Sequence, residues 1–233
     1  MNLSKQIYGM LHLAGSDPVG RALEEIRIFE SEGVSGVIVE NYHGTIEDVV
    51  DVIDSLYNTK LEIGINILPN EVEKAYSIAR DFKIDFIQFD YVAGKYQSSY
   101  GVIKFDENLY KQFRTEMPNV KVFGGVHPKY YTPIKGSDLK IDINHGITLC
   151  DAIVVTGKKT GSETPLDKVK DFRESCGNFP LIVGAGVDIH NVVEQLSIAD
   201  GAIVGSCFKP YKDTTKPVDA YLVNSFMEKV RSI

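Results

Sequence analysis

Short apolar stretches rich in β-branched residues recur along the chain. They are QIYGMLHL (6–13), VSGVIVEN (34–41), LEIGINIL (61–68), DFIQFDYV (85–92), VKVFGGV (120–126), DAIVVTG (151–157), PLIVGAGV (180–187) and GAIVGSCF (201–208). Most lack strict polar–apolar alternation, the pattern of strands buried on both faces. Helical spacing fills the gaps. Ser16-Asp17-Pro18 precedes Ala22, Leu23, Ile26 and Phe29, and Thr45 precedes Ile46, Val49, Val50, Ile53 and Leu56. Asn70 opens Val72, Ala75, Tyr76, Ala79 and Phe82; Thr164-Pro165 opens Leu166, Val169 and Phe172. Asp188 opens Val192, Val193 and Leu196, and Pro217 opens Val218, Leu222 and Phe226. Fainter helical patterns lie near 106–116 and 138–148.

Strand–helix alternation in units of roughly thirty residues implies parallel strands with right-handed crossovers. Eight such units in 233 residues match a (β/α)8 TIM barrel, of about 250 residues, as a single domain over 1–233. The rival is a doubly wound open sheet, whose nucleotide fingerprint would follow the first strand. There the chain reads GMLHLAGSD, without G-x-G-x-x-G.

Composition narrows the function. A formal charge of −7 argues against nucleic-acid binding, which draws on a cationic surface. No stretch approaches the roughly 18 apolar residues of a membrane span, and the N-terminal apolar run, broken by Gly9 and His12, fits a strand better than a signal peptide. Cys150, Cys176 and Cys207 are widely spaced and form no C-x-x-C pair, so neither a disulfide framework nor a zinc site is expected and a cytoplasmic setting is.

In such barrels the chemistry gathers at the C-terminal strand ends. Those ends hold His12, Glu40, Asn41, Asn66, Asp90, His127, Thr156 and Gly157. Glu40 directly follows GVIV, so it is buried and must be paired or used; Asp90, His12 and His127 are further acid–base candidates. Asn41 and Asn66 can bind substrate oxygens or tie loops to the rim. Gly184-Ala185-Gly186 and Gly205-Ser206 follow the seventh and eighth runs, where barrels commonly cradle phosphate, with Lys209 as a candidate counter-charge. Thr160 and Gly161 in VVTGKKTGSETP extend the same lining. No cofactor or metal is identifiable from spacing. The tyrosines of AGKYQSSYGVIKFD and HPKYYTPIKGSD (Tyr96, Tyr100, Tyr130, Tyr131) either form a lid or pack together.

The motifs GMLHLAGSDP, GVIVENYHG, GINILPNE, FIQFDYVAG, AIVVTGKKTG, VGAGVDIHNV and DGAIVGSCFK together resemble the BtpA/SgcQ family over nearly the whole chain. That resemblance implies a TIM barrel related to phosphate-binding barrels. It carries over His12, Glu40, Asn41, Asn66, Thr156, Gly157, Thr160, Gly161, Gly184, Gly186, Gly205 and Lys209. One branch of the family is linked to photosystem I biogenesis or stability, another to sugar-phosphate transport and metabolism. The chain departs from the pattern at GGVHPKYYTP, where members tend to have an acid followed by lysine and histidine, and at Asp90, where an asparagine is expected. The expectation is an enzyme acting on a small phosphorylated ligand by isomerase-, epimerase- or aldolase-like proton transfer, as a homo-oligomer. A non-catalytic assembly factor and an FMN-binding barrel are the alternatives.

Overall fold

The computed structural model describes residues 5–98 and 101–233. Numbered in chain order, the strands are β1 (Gln6–Leu11), β2 (Gly36–Glu40), β3 (Glu62–Asn66), β4 (Phe86–Phe89), β5 (Lys95–Ser98) and β6 (Gly101–Lys104), then β7 (Lys121–Gly125), β8 (Thr132–Pro133), β9 (Ala152–Val155), β10 (Leu181–Val183) and β11 (Gly201–Val204). Eight of them close a parallel barrel in the order β1-β2-β3-β4-β7-β9-β10-β11. The helices are α1 (Pro18–Ser31), α2 (Ile46–Asp54), α3 (Val72–Asp81), α4 (Glu107–Glu116), α5 (Leu139–Ile147), α6 (Leu166–Cys176), α7 (Val192–Ile198) and α8 (Ala220–Arg231). No helix among the described residues is long and apolar enough to cross a membrane.

Two helix starts follow the expected capping. Asp17 accepts from the Gly20 amide at 2.9 Å, and Thr45 forms a reciprocal capping box with Asp48. At four other starts the expected residue is not the cap, and in three of them its side chain is bonded elsewhere. Asn70 (φ +65°) exchanges two hydrogen bonds with the backbone of Tyr91, and α3 begins beyond Glu71. Thr164 donates to the Ala185 carbonyl at 2.8 Å rather than capping α6. Asp188 pairs with Lys212 at 2.7 Å, while α7 begins beyond Asn191. The last helix starts three residues after Pro217, capped by Asp219.

The connection between the fourth and fifth barrel strands is not a plain loop. β5 pairs antiparallel with β6 and β8 beside the barrel. Tyr96 is fully buried there and packs against Tyr91 and Tyr131, with ring centroids 5.1 and 5.8 Å away. Tyr100 lies outside the described residues.

Inside the barrel, Tyr8, Met10, Ile38, Phe86, Phe123, Ala152, Val154, Ile182 and Ile203 form one core, distinct from the shell between strands and helices. Phe86 stacks on Phe123 at 4.3 Å and Tyr8 meets both edge-on at 5.1 and 5.2 Å. Gly64 makes room for that stack: a Cβ there would lie 2.2 Å from the Phe86 ring. The Tyr8 hydroxyl donates to Glu62 at the N-terminal end, where Glu62 also meets Lys121 at 3.1 Å. The floor is therefore solid. Phe123→Ala should cost about 3–5 kcal/mol through lost burial and a cavity, read as a lowered midpoint of urea unfolding.

Candidate functional site

Alternate residues of a strand face the same side, so the inward core continues upward into the mouth. Two residues beyond Met10, Ile38, Val154, Ile182 and Ile203 come His12, Glu40, Thr156, Gly184 and Gly205; Asn66 follows Gly64, and Asp90 lies four beyond Phe86. Asn41 has the opposite parity. Its amide bridges the backbone of Leu68, donating to the carbonyl at 3.3 Å and accepting from the N–H at 2.8 Å. It ties two loops together and does not face the mouth.

The closed order sets β2, β3 and β4 across the barrel from β9, β10 and β11. One wall is therefore acidic and the facing wall is glycine-rich. On the acidic wall the Asn66 amide donates to Glu40 at 2.8 Å and, at the outer limit of a hydrogen bond, to Asp90 at 3.5 Å. The Tyr131 hydroxyl donates to the other Asp90 oxygen at 3.2 Å. Burial pushes the Glu40 carboxyl up to about 7; Lys129 opposes the shift, Asp90 reinforces it and the Asn66 hydrogen bond opposes it. Asp90 is raised too, again by burial, against Lys129 and its two hydrogen-bond donors. His12 is held well below the usual histidine range by burial and then by Lys209, Lys129 and His43. Its ring is neutral, and its buried Nδ1 has no partner among the described residues. No three metal-ligating side chains come together among the described residues.

On the glycine wall a cavity of about 30 Å3 is lined by His12, Glu40, Lys129, Thr160, Gly161, the 184–187 turn, and Gly205 with Ser206. Gly184 spends its N–H on the Val155 carbonyl at 2.8 Å. Gly161, Gly186, Gly205 and Ser206 donate no backbone hydrogen bond to another described residue. Unspent N–H groups around a small cavity suit an anion. Gly157 and Gly186 have a further reason to be glycine. A Cβ would lie 2.7 Å from the Glu163 carbonyl oxygen in the first case and 2.2 Å from that of Ser162 in the second, where φ is +67°. These two residues let the loops after β9 and β10 pack together.

A strap from the end of β7 covers the mouth. The Lys129 N–H donates to Thr156 Oγ1 at 2.7 Å, and its ammonium reaches Thr160 Oγ1 at 3.2 Å. The Tyr130 hydroxyl accepts from the Thr160 N–H at 2.9 Å. From α6, Lys168 donates to the carbonyls of His127 and Thr156 at 2.9 and 2.8 Å, pinning the strap's foot. Lys129 and Tyr131 stand on the strap and Lys168 on α6, away from the strand ends, and all three bond into the mouth's surroundings.

Two expected site residues are drawn elsewhere. The His127 ring meets Asp142 of α5 at 2.8 Å while its N–H donates to the Tyr96 hydroxyl, so it faces outward from the cavity. Lys209 is 2% exposed, with its ammonium 3.6 Å from Glu25 of α1, whose carboxylate also accepts from the Val218 N–H at 2.9 Å. A desolvated ammonium needs such a counter-charge, and the pair locks the segment after β11 behind His12. Glu25 lies on the buried face of α1 with Ala22, Ile26 and Phe29. Removing one partner, by Glu25→Gln or Lys209→Met, should cost about 3–5 kcal/mol in equilibrium unfolding, and the double substitution less than the sum of the two.

The fold and this mouth can be set beside known proteins. The structure of N-(5'-phosphoribosyl)anthranilate isomerase from Pyrococcus furiosus superposes with a TM-score of 0.66 at 15% identity, covering 98% of this chain and all of that one. An uncharacterized protein of Methanocaldococcus jannaschii is 30% identical, over 92% of this chain and 91% of its own. Photosystem I biogenesis protein BtpA of Synechocystis is 25% identical, over 90% of this chain and 78% of its own. The BtpA family model matches residues 14–232. The chain belongs to the BtpA family.

Proposed function

We propose that this barrel is an enzyme acting on a small phosphorylated metabolite, with the phosphate on the glycine wall and proton transfer at Glu40. The observation that carries the reading is the small cavity that touches both a buried carboxyl poised near neutrality and a set of unspent backbone N–H groups. A general acid–base works best with a pKa close to the operating pH. Asp90, which does not line the cavity, acts through Asn66 and by its charge on Glu40. The name of the isomerase structure, a phosphoribosyl enzyme on the same fold, is consistent with this reading.

A second reading, a non-catalytic assembly factor, draws on the relative named for photosystem I biogenesis and on the strap closing the mouth. Under that strap, however, lie a desolvated acid and a partnerless histidine nitrogen rather than apolar filling. Such groups are costly unless used.

Ser206 lines the cavity at the first position of the Ser206–Phe208 turn. Ser206→Asp should abolish the thermal stabilisation that inorganic phosphate gives the wild type; an unchanged response would remove the cradle. In the fold Glu40 keeps its proton up to about pH 7, against an ordinary glutamate value of 4.5. The folded state therefore binds the extra proton between those values, and stability falls as pH rises from 4.5 to 7. Glu40→Gln should flatten that decline, which is at most about 1.4 kcal/mol per pH unit, in urea titrations at pH 5 and pH 8.

A further inference from the structure

Of the residues that line the mouth cavity, Glu40 and Lys129 carry the charges, and His12 joins them with a neutral ring. Lys129 belongs to neither wall. It comes over the top on the strap, with its ammonium anchored 3.2 Å from Thr160 Oγ1, and its charge is felt by Glu40, Asp90 and His12 alike. The acids occupy one continuous arc, β2 to β4, and the facing arc offers glycines and Thr156. Inversion of a carbon centre needs proton carriers on both of its faces. This mouth supplies them on one.

We propose that Lys129 is the electrophile of this site and that the substrate is a short phosphorylated 2-hydroxy aldehyde or ketone, isomerised by proton transfer along one face. The proposal rests on the phosphorylated-metabolite reading above. The Glu40 carboxylate takes the proton from the hydroxyl-bearing carbon; the C–H electron pair becomes the enediolate double bond, and the carbonyl electrons move onto oxygen, facing the Lys129 ammonium. His12 passes the hydroxyl proton from one oxygen to the other. Glu40 then returns its proton to the adjacent carbon, so the reaction balances without an oxidant or reductant. A preorganised cation at the developing oxyanion is a large source of rate acceleration. The cavity is lined from both walls, so a group held at the glycine turns lies next to Glu40 and Lys129.

The test compares binding of phosphoglycolohydroxamate, an enediolate mimic, with phosphoglycolate and inorganic phosphate by calorimetry. Wild type, Lys129→Met and Ser206→Asp are used, with Lys129→Gln in reserve should methionine loosen the strap. Wild type should prefer the hydroxamate over phosphoglycolate by about 100-fold, as expected of an intermediate mimic. Lys129→Met should lose that preference while still binding inorganic phosphate, and Ser206→Asp should lose all three ligands. Equal loss of all three in the Lys129 variants would make the lysine a phosphate anchor and overturn the proposal. Wild-type binding of phosphate with no hydroxamate preference would overturn it and leave the cradle standing. Binding of none would overturn both readings.

Discussion

A strand in a closed barrel has no freedom to choose which side chains face inward, and that alternation is the constraint on which this structure rests. Once Tyr8, Phe86 and Phe123 fill the lower interior, the same parity commits His12, Glu40, Asn66 and Asp90 to one arc of the mouth and Gly184 and Gly205 to another. A one-residue slip would turn every one of them onto the helix side. The stacked rings also close the route through the barrel, so the polar layer has a dry floor. That dryness is what raises the Glu40 carboxyl to about 7.

Much of this architecture was readable beforehand, because eight doubly buried strands leave a strong apolar rhythm. Glu40 and Asn66 were readable for the same reason: a polar residue ending such a run stands out. Asn41 shows the limit, since adjacency on the page conceals opposite parity in space. Lys209 looked like a rim cation, but its counter-charge Glu25 is nearly two hundred residues away on α1, and only folding brings them together. The β5–β6–β8 sheet leaves little trace in the sequence because its strands are short, and one has just two residues.

Lys129 reads in the sequence as a loop cation able to neutralise an anion, but its placement does not read there, for a different reason. Its position depends on contacts made by the whole strap: Thr156 and Thr160 after β9, Lys168 from α6, and the Tyr96–His127–Asp142 cluster beside the barrel. No local pattern encodes that convergence. The segment instead carries left-handed backbone at His127 and Tyr130, a conformation that non-glycine residues hold only where surrounding contacts enforce it.

The strap's bonds to Thr160 have a kinetic meaning. Tyr130 occupies a backbone N–H and Lys129 a hydroxyl at the edge of a cavity little larger than a water molecule. An occupant reaching for the Thr160 N–H or hydroxyl competes with Tyr130 and Lys129 for them. Loops of this kind open on the microsecond-to-millisecond scale, so the strap's own motion sets how often those two groups are free.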